Sequence, residues 1–250
     1  MNKAITEVLA HPLPNVNNRP LAFSVLRVPF LLEPSYDETK PFVESNRDRL
    51  IQKWGGPAGW ERQKKIHNLK GRGMEAGIPH FNLDRLASNT MASHRLIQYL
   101  GKTYGLHVSE AIYDRLNVYY FVEGHALNDK PRLAHVVAEE LQALIPEQHA
   151  PTEQVLLEFL NGNQGRREIE KALTALRQIG IHSIPKFVVE GRTVVDGAAN
   201  AATFVSIFRE IEKRGVVHPG TMFGDILGVS TEILERGSHR SDEATKTAAY

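Results

Sequence analysis

The sequence predicts an α/β fold interrupted by a long all-helical insertion, on three observations. Residues 21–30 read as a strand, with Phe23 and Val25 on one face. From about residue 41 to 161, apolar residues recur at helical spacing between loops. A helix, a hairpin and a closing helix then follow between residues 168 and 214.

Each element has its own signal. Ile5, Val8 and Leu9 make residues 3–11 helical, and the proline-bearing stretch 12–20 ends that helix. In the insertion, Gly55-Gly56-Pro57-Ala58-Gly59 predicts a loop, and Gly71, Gly73 and Gly77 punctuate the next turn. Ser88 or Asn89 caps a helix through Met91, Leu96 and Leu100 to Gly101. Ile112, Leu116, Tyr119 and Tyr120 form another apolar stripe, closed by Gly124. Residues 131–144 make one more helix, with Leu133, Val136, Val137, Leu141 and Leu144 facing inward. Residues 168–180 are amphipathic and end in a glycine, a common helix stop. Strands at 186–189 and 193–195 flank the Glu190-Gly191-Arg192 turn, and the helix at 199–214 buries Phe204, Ile207, Phe208 and Ile211. Beyond Arg236 the Ser/Thr/Ala-rich chain has no apolar period and is expected to be disordered. The domains expected are 1–40 with 162–236, a helical insertion at 41–161, and a tail at 237–250, with no internal repeat.

Composition removes several function classes. The chain of 250 residues carries 30 basic against 29 acidic side chains, so no global field draws it to nucleic acid or an anionic membrane. No apolar run approaches the ~20 residues of a membrane span. The amphipathic start, Met1 to His11, is no secretory signal, which makes the cytoplasm the expected compartment. The 11 histidines show no metal-ligand spacing. No nucleophile elbow, phosphate loop or dinucleotide fingerprint occurs, which argues against hydrolase, nucleotide-dependent and Rossmann readings. Arg62, Lys64, Lys65, Lys70 and Arg72 cluster near Trp54 and Trp60, but Glu61 and Glu75 flank them, and the cluster reads as a solvated helix face. There is no cysteine.

A set of short motifs then suggests a relationship. Asn89-Thr90-x-x-x-His94-Arg95-Leu96, Tyr119-Tyr120-Phe121-x-Glu123-Gly124, Asp129, Ile184-Pro185-x-Phe187-Val188 and Gly197-Ala198 occur in that order. Together they resemble the DsbA-like thioredoxin-domain family, in its FrnE-like branch, related to 2-hydroxychromene-2-carboxylate isomerases and kappa-class glutathione transferases. The resemblance spans roughly residues 1–214. It implies a thioredoxin-like fold in which a first strand leads to a Cys-x-x-Cys, or a serine equivalent, at the start of the first helix. Met1 falls inside that helix, so the first strand and the active-site turn are expected to be missing. Two inner sheet edges would then lack partners, at ~1–3 kcal/mol for each group buried unsatisfied. Either the start codon truncates the chain, or the strands close on each other or on a partner.

The resemblance also implies a site. Pro185 would be cis, and the backbone of Ile184 would pair with an extended peptide or with glutathione; the alternative is a trans proline opening a strand. Asp196 and Gly197 would hold a glutathione carboxylate where the last helix begins. Related enzymes carry a Ser-Asp pair after the glycine, however, and this chain has Ala198-Ala199, so Asp196 or Asn200 could simply cap the helix. Asn89, Thr90, His94 and Arg95 would border the cleft, with His94 the group suited to proton transfer. Their alternative is a capped helix whose Arg95 pairs with a carboxylate such as Glu123. Tyr119, Tyr120, Phe121 and Glu123 read as packing between insertion and core.

Three function classes follow. Thiol–disulfide exchange needs an attacking thiolate, which a chain without cysteine cannot supply. A glutathione-dependent isomerase or transferase would act on a small aromatic or polyketide-like substrate, with glutathione as cofactor. A non-catalytic module would bind an extended peptide beside Ile184 and Pro185. The partners expected are a small molecule or a peptide, with homodimerisation open, and neither nucleic acid nor membrane.

Overall fold

Helices and one hairpin form the regular structure of the computed structural model, which describes residues 1–14, 20–42, 44–75, 78, 80–146, 149–218, 220 and 222–239. In chain order they are α1 (Asn2–Ala10), α2 (Asn46–Lys53), α3 (Pro57–His67), α4 (Leu69–Glu75), α5 (Met91–Tyr104) and α6 (Leu106–Asn117). A π-helical turn (Val118–Val122) follows, then α7 (Lys130–Leu144), α8 (Glu153–Asn161) and α9 (Arg166–Gln178). The hairpin β1 (Lys186–Val189) and β2 (Thr193–Asp196) leads to α10 (Ala201–Arg214), α11 (Met222–Leu227) and α12 (Thr231–Arg236). Side-chain oxygens start several helices by accepting an otherwise orphaned N–H: Ser45 from Asp48, Thr152 from Val155, Asn200 from Thr203 and Ser230 from Ile233. Among the described residues, no helix is long and apolar enough to cross a membrane.

The chain folds as two units. One comprises Met1–Phe30, Gln98–Glu110 and Gly165–Tyr250, of which residues 240–250 lie outside the described residues; the other comprises Leu31–Ile97 and Ala111–Gln164. The sequence placed residues 98–110 in the insertion. They fall in the first unit because that unit supplies their partners: Gln98 Nε2 donates to Arg27 O at 2.6 Å, and Glu110 takes Arg27 on both oxygens at 2.7 and 2.8 Å. Leu106 is buried with Ala172, Leu227 and Val229, and this second cluster needs α11, an element the sequence reading did not anticipate.

The first unit's main core lies between α1, α10 and the hairpin. Ala4, Ile5, Val8 and Leu9 are buried with Val195, Phe204 and Phe208. Phe187 meets Phe204 edge-on at 4.9 Å, and Phe23 meets Phe208 at 4.8 Å. Phe204 and Phe208, both buried, each contribute about 1.5–3 kcal/mol through burial. In the hairpin Phe187 pairs with Val195 and Val188 with Val194. Strand alternation sends the first pair to the core and leaves the second exposed.

Residues 21–30 form no strand, although the sequence predicted one. Phe23 alone makes an antiparallel bridge, to His239, and accepts at its carbonyl from the N–H of Ser238 and of His239. Val25 N–H donates to Ser238 Oγ at 2.9 Å, and Arg27 O goes to Gln98. Single partners therefore satisfy backbone that a ladder would otherwise pair. The same contacts order Gly237–Ser238–His239, where disorder was expected, and bury Ser238. The remainder of the expected tail, 240–250, lies outside the described residues. Among the described residues the sheet has two strands only.

The second unit is helical. α7 buries Leu133, Ala134, Val137 and Leu141, and packs on α8, which buries Leu156, Phe159 and Leu160. Asn128 Nδ2 donates to Asp37 O and Lys40 O, tying down the loop before α2. Gly59, expected in a loop, lies inside α3 against Trp54: a Cβ there would sit 1.7 Å from Trp54 O. That close approach stacks Trp54 on Trp60 at 5.6 Å.

Candidate functional site

The residues around β1 converge most clearly. The Ile184–Pro185 peptide bond is cis, the isomer that the resemblance implies. Pro185 O accepts from Gly197 N–H at 3.0 Å, so two expected site positions meet across the hairpin's open end. One pair further in, Lys186 faces Asp196, and Lys186 Nζ lies 2.6 Å from Asp196 Oδ1. At the closed end Glu190 and Gly191 both adopt positive φ, 53° and 68°, the pattern that suits a tight hairpin's twist. Arg192 N–H donates to Val189 O at 3.1 Å and closes the turn.

These bonds fix the direction of every polar group on β1. Because Pro185 O points toward β2, alternation turns Phe187 and Val189 toward β2 as well. Lys186 and Val188 then aim their N–H and C=O groups the opposite way. No backbone hydrogen bond from a described residue meets that outer edge. Beside it, Ile184 and Val188 are each 46% exposed, and Val194 is 53% exposed. The arrangement is an open strand edge beside exposed apolar side chains, able to pair with extended backbone. Sequence reasoning missed Lys186 and Val188; period-2 alternation from Pro185 was the signal that could have found them.

At the start of α10 the polar groups are already engaged. Asn200 Oδ1 accepts from Thr203 N–H at 2.9 Å and from its hydroxyl at 3.1 Å. Asp196 puts a carboxylate at the same place, 69% exposed and paired with Lys186. An incoming carboxylate would meet that negative charge.

The second expected group lies in the other unit, at the start of α5. Asn89 is buried; its Oδ1 accepts from Met91 N–H at 2.8 Å and its Nδ2 donates to Tyr36 O at 2.8 Å. Thr90 O accepts from His94 N–H at 3.0 Å, and the His94 ring is half-buried. Arg95 is 3% exposed and clamps the end of α8: Nη2 to Phe159 O at 2.9 Å, Nη1 to Leu160 O at 3.2 Å, and Nε to Gln164 O at 2.7 Å. Its guanidinium stacks over the Phe159 ring at 5.0 Å. Glu123, considered as its partner, pairs with Arg115 instead, at 2.8 Å. Tyr119 is fully buried, and burial drives its hydroxyl pKa far above the ordinary value of 10.0, so it stays protonated. Tyr120 and Phe121 pack around Arg85. Among the described residues, no three His, Asp or Glu side chains gather in a way that could hold a metal ion.

Comparison with known proteins bears on the fold. No protein-family model matches the chain, and no curated protein matches it in sequence. Among solved structures it is similar to a probable DsbA oxidoreductase from Streptomyces coelicolor, with 21% identity and a TM-score of 0.60 over 83% of this chain and 82% of that one. The likeness is one of fold, and over that span the chain has a DsbA-like architecture.

Proposed function

We propose that the chain is a DsbA-like binding module of the FrnE-like branch that takes an extended peptide along the outer edge of β1, beside Ile184 and Pro185. The observation that carries this reading is the pair of outward-facing residues, Lys186 and Val188, whose backbone groups meet no partner among the described residues. An added strand would satisfy four such groups at once and cover the exposed Ile184 and Val188. The module supplies no thiol, since the chain has no cysteine.

A second reading keeps one specific support. Glutathione is itself an extended tripeptide with two carboxylates, and β1 carries a cation at Lys186, turned toward Asp196 of β2. In that reading the protein holds glutathione for an isomerase or transferase reaction on a small aromatic substrate. Asp196 opposes it, because Lys186 would have to leave a 2.6 Å ion pair.

Val188→Pro separates the binding edge from the fold. The substitution removes an outward N–H and leaves the hairpin bonds of Phe187 and Val189 intact. Titration of labelled extended peptides and of glutathione into both proteins is the test. Peptide affinity is expected to fall about tenfold in V188P, with the melting temperature nearly unchanged. Peptide binding that ignores V188P would refute the edge. Glutathione binding lost in Lys186→Ala, without peptide binding in the native protein, would transfer the function to the second reading.

A further inference from the structure

The chain's charge is balanced as a whole but not locally. Residues 61–75 hold five basic residues against two acidic ones, in a chain of 30 against 29. The sequence reads that cluster as a solvated helix face, and a solvated face is polar. In the structure it is not. Ile66 is 66% exposed, Met74 60% and Ile78 43%, three large apolar side chains among those cations in the second unit.

Helix geometry accounts for the placement. Trp60 is buried on the inner side of α3, and Trp54 stacks on Trp60 at 5.6 Å and on His67 at 5.8 Å. At about 100° per residue, Arg62, Lys65 and Ile66 fall within about 60° of the side opposite Trp60. Asn68, at φ 40°, ends α3, and its Oδ1 accepts from Gly71 N–H at 3.3 Å, so α4 begins at once. Ile78 N–H donates to Gly73 O at 2.7 Å and folds the chain back onto α4, which carries Arg72 and Met74. Glu61 is held by Lys64 at 3.4 Å. Arg62, Lys65 and Arg72 are exposed, and none of them forms an ion pair among the described residues.

Aliphatic side chains this exposed protrude, which suits a fluid phase that deforms around them, and the free cations beside them select a negative one. Nucleic acid would use the cations but stacks on aromatic rings, and here Trp54, Trp60 and His67 stack on one another. We infer that the α3–α4 segment is a peripheral docking surface for an anionic lipid bilayer, with Arg62, Lys65 and Arg72 on the headgroups and Ile66 and Met74 inserted at the headgroup–acyl boundary. Each such cation raises affinity about fivefold. This surface involves neither Ile184 nor Pro185 and stands whether or not the open edge of β1 binds a peptide.

Vesicle flotation of the full chain tests it, with phosphatidylcholine alone and with about a third of the lipid replaced by phosphatidylserine. The protein is expected to float with the second vesicles and not the first. It should be released when salt rises from ~0.1 M to ~1 M, as the screening length shortens from about 10 Å to about 3 Å. Ile66→Ser combined with Met74→Ser should weaken binding about tenfold, and Arg62→Gln combined with Lys65→Gln about 25-fold. All four side chains are exposed, so an unchanged melting temperature separates lost docking from lost folding. Absence of flotation with the phosphatidylserine vesicles overturns the inference. So does flotation that the two serines leave unchanged, because the cations alone would then be adsorbing to a polyanion. A single-stranded oligonucleotide that binds where the vesicles do not overturns it as well.

Discussion

Glu212 and Arg209 form an ion pair one helical turn apart on α10, Nη1 to Oε2 at 2.6 Å, and Glu212 has no exposed surface at all. Its second oxygen accepts from Leu13 N–H at 2.8 Å, so this buried carboxylate also fastens the segment that leaves α1. Removing it strands both donors. Glu212→Ala is expected to lower stability by about 3 kcal/mol, and Glu212→Gln, which can still accept from Leu13, by about half as much. Urea unfolding checks both values, and equal effects from the two variants would mean that the Leu13 contact contributes nothing.

Arg95 gives a prediction of a different kind. Three carbonyls at and beyond the end of α8 depend on one guanidinium, two of them through buried bonds. Arg95→Lys keeps the charge but cannot reach all three with a fork, so it should cost about 2–3 kcal/mol, close to Arg95→Ala. If either variant instead melts like the native protein and changes ligand affinity, Arg95 acts on the ligand and the clamp is secondary. Differential scanning calorimetry with a parallel binding titration distinguishes these.

Acid should weaken the hairpin's closed end. Burial by itself would raise the Glu190 pKa, but hydrogen bonds from Arg214, at 2.6 and 2.7 Å, and from His218 N–H, at 2.9 Å, outweigh it and hold the carboxyl below its ordinary 4.5. A folded value below the unfolded one means stability that is present above the ordinary carboxylate range and lost as pH falls through the folded value. Glu190→Gln should therefore be less stable than the native protein at pH ~7 and lose less on acidification. Denaturation midpoints at neutral and acidic pH measure this; parallel curves for the two proteins would rule the linkage out.

How much was legible in the sequence varied with the kind of signal. Helices such as 131–144 and 199–214 carry their own apolar period, and the structure places α7 and α10 within two residues of those bounds. The hairpin was legible because Glu190-Gly191 is a turn signal that acts locally. Residues 21–30 have a strand's composition, yet a strand exists only through a partner, and the partner here is Ser238–His239, more than 200 residues away. Site residues failed to declare themselves for the same reason. Arg95 looks like a ligand-binding arginine until the carbonyls of α8 are seen around it. Lys186 and Val188 lie at period-2 spacing from Ile184, a signal present in the sequence, and the hydrogen bonds of Pro185 and Val189 show which edge they face.

β1 has one paired edge and one open edge, and hydrogen exchange of the free protein tests that most directly. The amides of Phe187 and Val189 face β2 and are expected to exchange slowly, while those of Lys186 and Val188 face outward and are expected to exchange fast. Adding an extended peptide should slow Lys186 and Val188 alone. If those two amides are already as protected as their neighbours in the free protein, the outer edge is covered, and the proposed binding surface does not exist.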